Sequence, residues 1–175
     1  MNIKEFIRSI PDYPKKGILF RDITTLIKDE KAFAETINQI VEKSKKFEFD
    51  KIAAIESRGF DFASAVSYIL KKPFIMLRKK NKLPADVHSV DFELEYGTAS
   101  IEVHKDSINK DDKVLIIDDL IATGGTAEAA AKLIEISKGQ VAAFIFVINL
   151  FDLGGSDNLK KNNYKVENLI DFPGH

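Results

Sequence analysis

Two segments of this chain, VLIID (Val114–Asp118) and VAAFIFVIN (Val141–Asn149), are apolar at nearly every position. A strand with one buried face alternates apolar and polar residues. A run that is apolar on both faces needs cover on both sides, which is the situation of a parallel sheet between helical layers. KIAAIE (Lys51–Glu56) and FIMLR (Phe74–Arg78) are shorter runs of the same kind. Between them FDFASAVSYIL reads as a helix. After Gly124-Gly125, TAEAAAKLIEISK is rich in strong helix formers, with Gly139 suited to its C-terminal end. Strand–helix–strand repetition predicts an α/β fold, doubly wound, with a mainly parallel sheet flanked by helices.

The rest of the chain is less regular. Phe33, Ile37, Ile40 and Val41 form a helical stripe, for which Asp29 is a suitable N-cap. Ile3, Phe6, Ile7 and Ile10 follow helical spacing as far as Pro11. PDYPKKG then reads as loop, and GILFRDIT (Gly17–Thr24) is too irregular to assign. Between the two α/β units, Lys79–Lys105 breaks the alternation. Phe92, Leu94 and Tyr96, then Ile101 and Val103, alternate like an antiparallel ribbon, expected to act as a flap over the sheet edge with its mobile part at about 80–94. No repeat or linker interrupts the 175 residues, a length that suits one domain, 1–175.

Composition narrows the function. Lys and Arg number 26 against 27 Asp and Glu, a formal charge of −1, whereas a nucleic-acid-binding domain is usually clearly basic. Anion recognition, if present, is therefore local. With no cysteine, thiol catalysis, disulfide frameworks and Cys-ligated zinc are excluded. His88, His104 and His175 lie too far apart for a local metal motif, and packing or surface positions account for them equally well. The first ten residues lack the apolar stretch of a signal peptide, and the longest apolar run, Val141–Ile148, is too short to span a bilayer. The expected compartment is the cytoplasm.

The sharpest local feature is VLIIDDLIATGGT, Val114–Thr126. A buried strand is followed by two acids, a small Gly-rich turn and a helix start. In open α/β sheets ligands bind beyond the carboxyl ends of the strands, and Asp118 and Asp119 are expected there. Ala122, Thr123, Gly124, Gly125 and Thr126 can present backbone N–H groups and two hydroxyls to one anion, at the positive end of the next helix. Carboxylates beside that seat suit sugar hydroxyls, since an ionised carboxylate accepts hydrogen bonds. A sugar monophosphate fits both. The string carries neither GK[ST] of a P-loop nor GxGxxG of a dinucleotide site.

This string resembles the 5-phosphoribosyl-1-pyrophosphate signature of the type I phosphoribosyltransferases. In that family the loop takes the 5-phosphate and the acids take the ribose 2- and 3-hydroxyls. Further strings resemble its adenine-specific branch, in order along almost the whole chain: PDYPKKGILFRDIT, ESRGF, RKKNKLP, LEYGT, IEVHKD, INLFDLGG and FPGH. The resemblance implies transfer of phosphoribose to adenine, giving AMP and pyrophosphate, with Mg²⁺ held mainly through substrate oxygens and water rather than by a metal site of the protein. It implies a homodimer. Phe20 then stacks on the base, with Leu19 and Arg21 offering backbone groups to its edge. Glu56, Ser57, Arg58 and Gly59 hold the pyrophosphate from one side, and Arg78, Lys79 and Lys82 from the other, with Lys80 facing solvent. Glu95 handles the proton on the imidazole side of adenine, beside Tyr96 in the flap, and Arg58 and Asp118 complete the catalytic set. The Glu56–Ser57 peptide is expected to be cis. The chain departs from the branch at Lys16, Asp61 and Asn81, none of which carries a catalytic group. Enzymes for hypoxanthine, guanine or xanthine, and a non-catalytic regulator that senses phosphoribosyl pyrophosphate, stay open as alternatives.

Overall fold

The computed structural model describes residues 1–94 and 96–175. Five parallel strands carry the fold: β3 (Lys51–Ile55), β4 (Phe74–Lys79), β7 (Lys113–Ile121), β8 (Gln140–Leu150) and β9 (Val166–Phe172). β5 (Val87–Glu93) and β6 (Thr98–His104) join antiparallel at one edge, giving the order β5-β6-β4-β3-β7-β8-β9. Helix α3 (Arg58–Leu70) links β3 to β4, and α4 (Gly125–Ile136) links β7 to β8.

The double apolar pattern of the strands is explained by two cores, one on each face. Ile52, Ala54, Leu115, Ile117, Ile145 and Val147 point to the side covered by α2 (Glu30–Ser44) and α3, where Ile37, Ile40, Phe62 and Val66 meet them. The alternate residues Ala53, Ile55, Val114, Ile116, Phe144 and Phe146 face Ala130, Leu133 and Ile134 of α4. Asp29 caps α2 by accepting from the N–H groups of Lys31 and Ala32.

Three expectations change. The Ile3–Ile10 stretch is not one helix. A single 3₁₀ turn, Ile3–Phe6, gives way to strand β1 (Arg8–Ile10), which pairs antiparallel with β2 (Phe20–Asp22). The pairing outweighs the helical spacing because Arg8 finds Asp22 directly opposite, its Nε donating at 3.1 Å to a carboxylate that also binds the N–H and hydroxyl of Thr24. Thr24 starts the short α1 (Thr24–Ile27). Second, the ribbon is bonded into the sheet through Arg78↔Glu102 and Lys79↔Ile101 rather than lying over its edge. Of residues 80–94, Val87–Glu93 pair along their length with β6, and 80–86 form no strand. Third, β7 runs on to Ile121, so Asp118 and Asp119 stand within a strand rather than after it. After α5 (Gly155–Lys161), β9 closes the sheet.

Candidate active site

β3 and β7 are neighbours, but the chain leaves them in opposite directions, α3 covering one face and α4 the other. That is a topological switch point, where loops diverge and leave a crevice. A cleft of about 380 Å³ opens there, lined by Glu56, Ser57 and Arg58 after β3, Lys79 at the end of β4, and Asp118 through Ala127 on the β7–α4 connection, with Phe146 among its walls. Pairing of β3 with β7 stops at Ala54↔Ile117, so beyond that point β7 keeps only β8 as a neighbour. The two acids therefore reach the cleft although they belong to the strand.

The loop takes its form from glycine. Gly124 is the N-cap of α4 at φ +92°, and no side chain caps that helix. A non-glycine residue is strained at that φ, and the uncapped first turn leaves its N–H groups for an anion. From behind, Gly155 N–H donates to Ala122 C=O at 3.0 Å. A Cβ on Gly155 would stand 2.5 Å from that oxygen and 2.8 Å from Gly124 N.

Two of the three acids that line the cleft, Glu56 and Asp119, are held by arginines. Arg58 Nε–H donates to Asp119 Oδ2 at 2.6 Å. Asp118 sits against Gly59, whose Cβ, if present, would lie 2.8 Å from Asp118 Oδ1. Burial, then the neighbouring Asp119 carboxylate, push the Asp118 carboxyl well above its usual range, more than Arg58 offsets. Burial also opposes ionisation of Glu56, but the Lys79 N–H at 3.1 Å and the Arg78 guanidinium at 3.0 Å outweigh it and hold that carboxyl below the usual range. Arg78 thus braces Glu56 and does not line the cleft. The Glu56–Ser57 peptide is cis.

A second, wider cleft of about 810 Å³ meets the first at Glu56, Lys79 and Thr126. Lys79, Lys80 and Lys82 form one side, and Asp91, Phe92 and Leu94 of the ribbon another. The turn that aims these lysines is made by Asn81 at φ +66°, a left-handed position that asparagine tolerates, with its N–H on Glu102 Oε1 at 2.9 Å. Glu95 lies outside the described residues. Tyr96 is exposed, and Lys15 Nζ lies 4.7 Å over its ring, so the ribbon tip meets the loop before β2. Asp61 is exposed in the first turn of α3, where its charge needs no packing partner.

Leu19, Phe20 and Arg21 line neither cleft. The Phe20 ring meets Tyr13 edge-on at 5.1 Å, and the Arg21 side chain turns to Ser9 and the C-terminal segment. Sequence reasoning missed Phe146 and Gly155. Phe146 is one apolar residue in an apolar run, but Gly155 falls in INLFDLGG, a string singled out without a physical role.

A family model described as a phosphoribosyl transferase domain matches residues 23–174. An adenine phosphoribosyltransferase of Pelagibacter ubique is 81% identical over 175 residues, all of both chains. The crystal structure of adenine phosphoribosyltransferase from Thermoanaerobacter pseudethanolicus superposes with a TM-score of 0.92 at 47% identity, covering 97% of this chain and 98% of that one. The Saccharomyces cerevisiae enzyme, solved with an imino-altritol bisphosphate and adenine, superposes with a TM-score of 0.88 at 32% identity, covering 96% of each.

Proposed function

The chain belongs to the phosphoribosyltransferase family, in its adenine-specific branch, and transfers phosphoribose from 5-phosphoribosyl-1-pyrophosphate to adenine, giving AMP and pyrophosphate; we infer that it does so across the cleft between β3 and β7. One observation carries this placement. The loop Ala122–Thr126, the acids Asp118 and Asp119, and the Glu56–Arg58 turn converge on one cleft at the switch point of the sheet. They supply an anion seat, diol acceptors and a second anion seat in that order.

In this reading the 5-phosphate takes the N–H groups of Ala122–Thr126 and the hydroxyls of Thr123 and Thr126. The ribose hydroxyls take Asp118 and Asp119. The pyrophosphate takes Ser57, Arg58 and the Gly59 end of α3, with Lys79 and Lys82 closing from the ribbon side. Arg58 is held by Asp119 until substrate arrives. Diol on the acid and pyrophosphate on the guanidinium exchange one ion pair for two substrate contacts, each a hydrogen bond to a charged group. As the C1–oxygen bond breaks, charge gathers on the leaving pyrophosphate, and fixed cations favour that state over the ground state. Adenine N9 attacks the oxocarbenium-like carbon, with Glu95 taking up the proton on the imidazole side. Leu19–Arg21 hold the base, whose exocyclic amino group a backbone C=O accepts. Hypoxanthine and guanine would set an oxygen against that C=O, a mismatch that costs orders of magnitude. Residues 80–86, the part of the 80–94 segment that forms no strand before the ribbon, with Tyr96 at the ribbon tip, close as a flap and keep water from the activated ribose.

Among the described residues no group of three or more His, Asp or Glu side chains is placed to hold a metal ion. The acids at the cleft still fit Mg²⁺, which needs few protein carboxylates when phosphates and waters complete its shell. Held beside Asp118 and Asp119 mainly through substrate oxygens and water, Mg²⁺ would neutralise leaving-group charge. The reading includes a homodimer, implied by the resemblance, in the cytoplasm, the compartment expected from the sequence. No helix among the described residues is long and apolar enough to cross a membrane.

The test is to incubate the protein with 5-phosphoribosyl-1-pyrophosphate, Mg²⁺ and one purine at a time. Adenine yields AMP and pyrophosphate. Equal turnover of hypoxanthine would overturn the base assignment.

A further inference from the structure

β2 and the phosphate loop lie far apart in sequence, and AMP must reach from one to the other. The Arg21 side chain is where β2 is tied to the rest of the fold. Its Nη1–H donates to Ser9 Oγ at 2.6 Å across the β1–β2 pair, its Nη2–H donates to Pro173 C=O at 3.1 Å, and its guanidinium lies 4.4 Å over the Phe172 ring. Phe172 is the buried last residue of β9. Two residues on, Gly174 N–H donates to Asp152 Oδ1 at 2.6 Å. A Cβ on Gly174 would lie 2.6 Å from Leu153 Cγ, so the tail backbone is seated directly on the Phe151–Leu153 turn. That turn leads through Gly154, at φ +80°, into Gly155, whose backbone is packed on Ala122 and Gly124 of the phosphate loop. The joints from β2 to the loop are thus hydrogen bonds or close contacts made by backbone, a ring, a carboxylate, a planar cation and the Leu153 side chain.

We propose that Phe172–Gly174 and the Phe151–Gly155 turn form a brace that sets the position of Leu19–Arg21 relative to the phosphate loop. Asp152 is a positioning residue for the base, and the Arg21 side chain acts likewise through Pro173. The proposal rests on the reading of Leu19–Arg21 as the base segment. Base and phosphate are joined through ribose in the product, so their seats must keep a fixed span, and errors of about 1 Å weaken productive binding. Loosening the brace frees the base segment, while the loop keeps its own anchor on α4. The effect should therefore fall on adenine and spare the ribose substrate.

The experiment compares Asp152→Ala, Asp152→Asn, a chain ending at Phe172, and Phe20→Ala by initial rates, with KM measured separately for adenine and for 5-phosphoribosyl-1-pyrophosphate, and with thermal melting of each. Asp152→Ala and the shortened chain should raise the adenine KM about tenfold and leave the other KM within about twofold. Asp152→Asn keeps an acceptor oxygen for Gly174 N–H and should stay near wild type. An unchanged adenine KM in both brace variants, with Phe20→Ala raising it, would overturn the brace and leave the base segment standing. No effect of Phe20→Ala would remove the base segment, and the brace with it. Equal increases in both KM values with a fall in melting temperature would show general loosening, which also overturns the proposal.

Discussion

Gly155→Ala asks whether the loop Ala122–Thr126 is the phosphate seat, because it deforms that loop from behind without touching the cleft. The new Cβ would stand 2.5 Å from Ala122 O, 2.8 Å from Gly124 N and 2.8 Å from the carbonyl carbon of Thr123. Real Cβ contacts essentially never fall below 3.0 Å and are ordinary only from 3.4 Å, so the loop must give by about 0.5 Å at the least and about 0.9 Å to reach ordinary contact. All three atoms are backbone and cannot rotate away. Overpacking of one methyl group costs about 1–3 kcal/mol. Alanine in place of glycine at a helix start returns up to about 1 kcal/mol. The net loss of about 0–3 kcal/mol lowers the melting temperature by no more than about 12 °C for a chain of this size. The functional loss is read separately: a displacement approaching 1 Å at a substrate-positioning group costs about 10–100-fold. Initial rates at saturating adenine, with 5-phosphoribosyl-1-pyrophosphate varied, should show kcat/KM reduced by that factor in a folded protein. A folded variant with wild-type kcat/KM would refute the reasoning, since the phosphate would then sit elsewhere.

Glu95→Gln should lower turnover by about 10²–10⁴ while binding of the ribose substrate stays nearly intact. Asp118→Asn should instead weaken ribose binding as well, read as a higher KM for 5-phosphoribosyl-1-pyrophosphate. Valine at Gly124 meets both the φ of +92° and the Gly155 backbone at 3.1 Å, and should abolish phosphate protection of the loop in hydrogen exchange. The Asp22 carboxyl is pulled down to about 2 by the Thr24 hydroxyl and then by the Arg8 guanidinium. A carboxyl lowered by folding stabilises fully above its unfolded pKa of about 4, and this is lost as pH falls from about 4 to 2. Urea midpoints should therefore drop more steeply over that window for the wild type than for Asp22→Asn. Parallel curves would contradict the assignment.

The central strands were legible because burial on both faces leaves an unbroken apolar record, as in Val114–Ile117 of β7 and Phe144–Val147 of β8. The Gly-rich turn after β7 was legible as a turn because its needs are local: two acids, small residues and glycine where φ is positive. What escaped depends on partners distant in sequence. β1 is a strand only because Arg8 faces Asp22, and β9 is an edge strand whose VENLIDF pattern shows no clean alternation. The true end of β7 was hidden because β8, not β7 itself, carries the pairing on to Ile121. Arg78 looked like a free cation until Glu56 was seen beside it. The role of Gly155 needed Ala122 at its back, and nothing in the residues around it announces that contact.

The most direct measurement is a crystal structure of the protein with AMP. The account predicts phosphate oxygens within about 2.7–3.2 Å of backbone N–H groups in Ala122–Thr126 and of the Thr123 and Thr126 hydroxyls, with the ribose hydroxyls on Asp118 and Asp119 and the base against Phe20. A phosphate beyond hydrogen-bond reach of that loop, in a fully occupied complex, would contradict it.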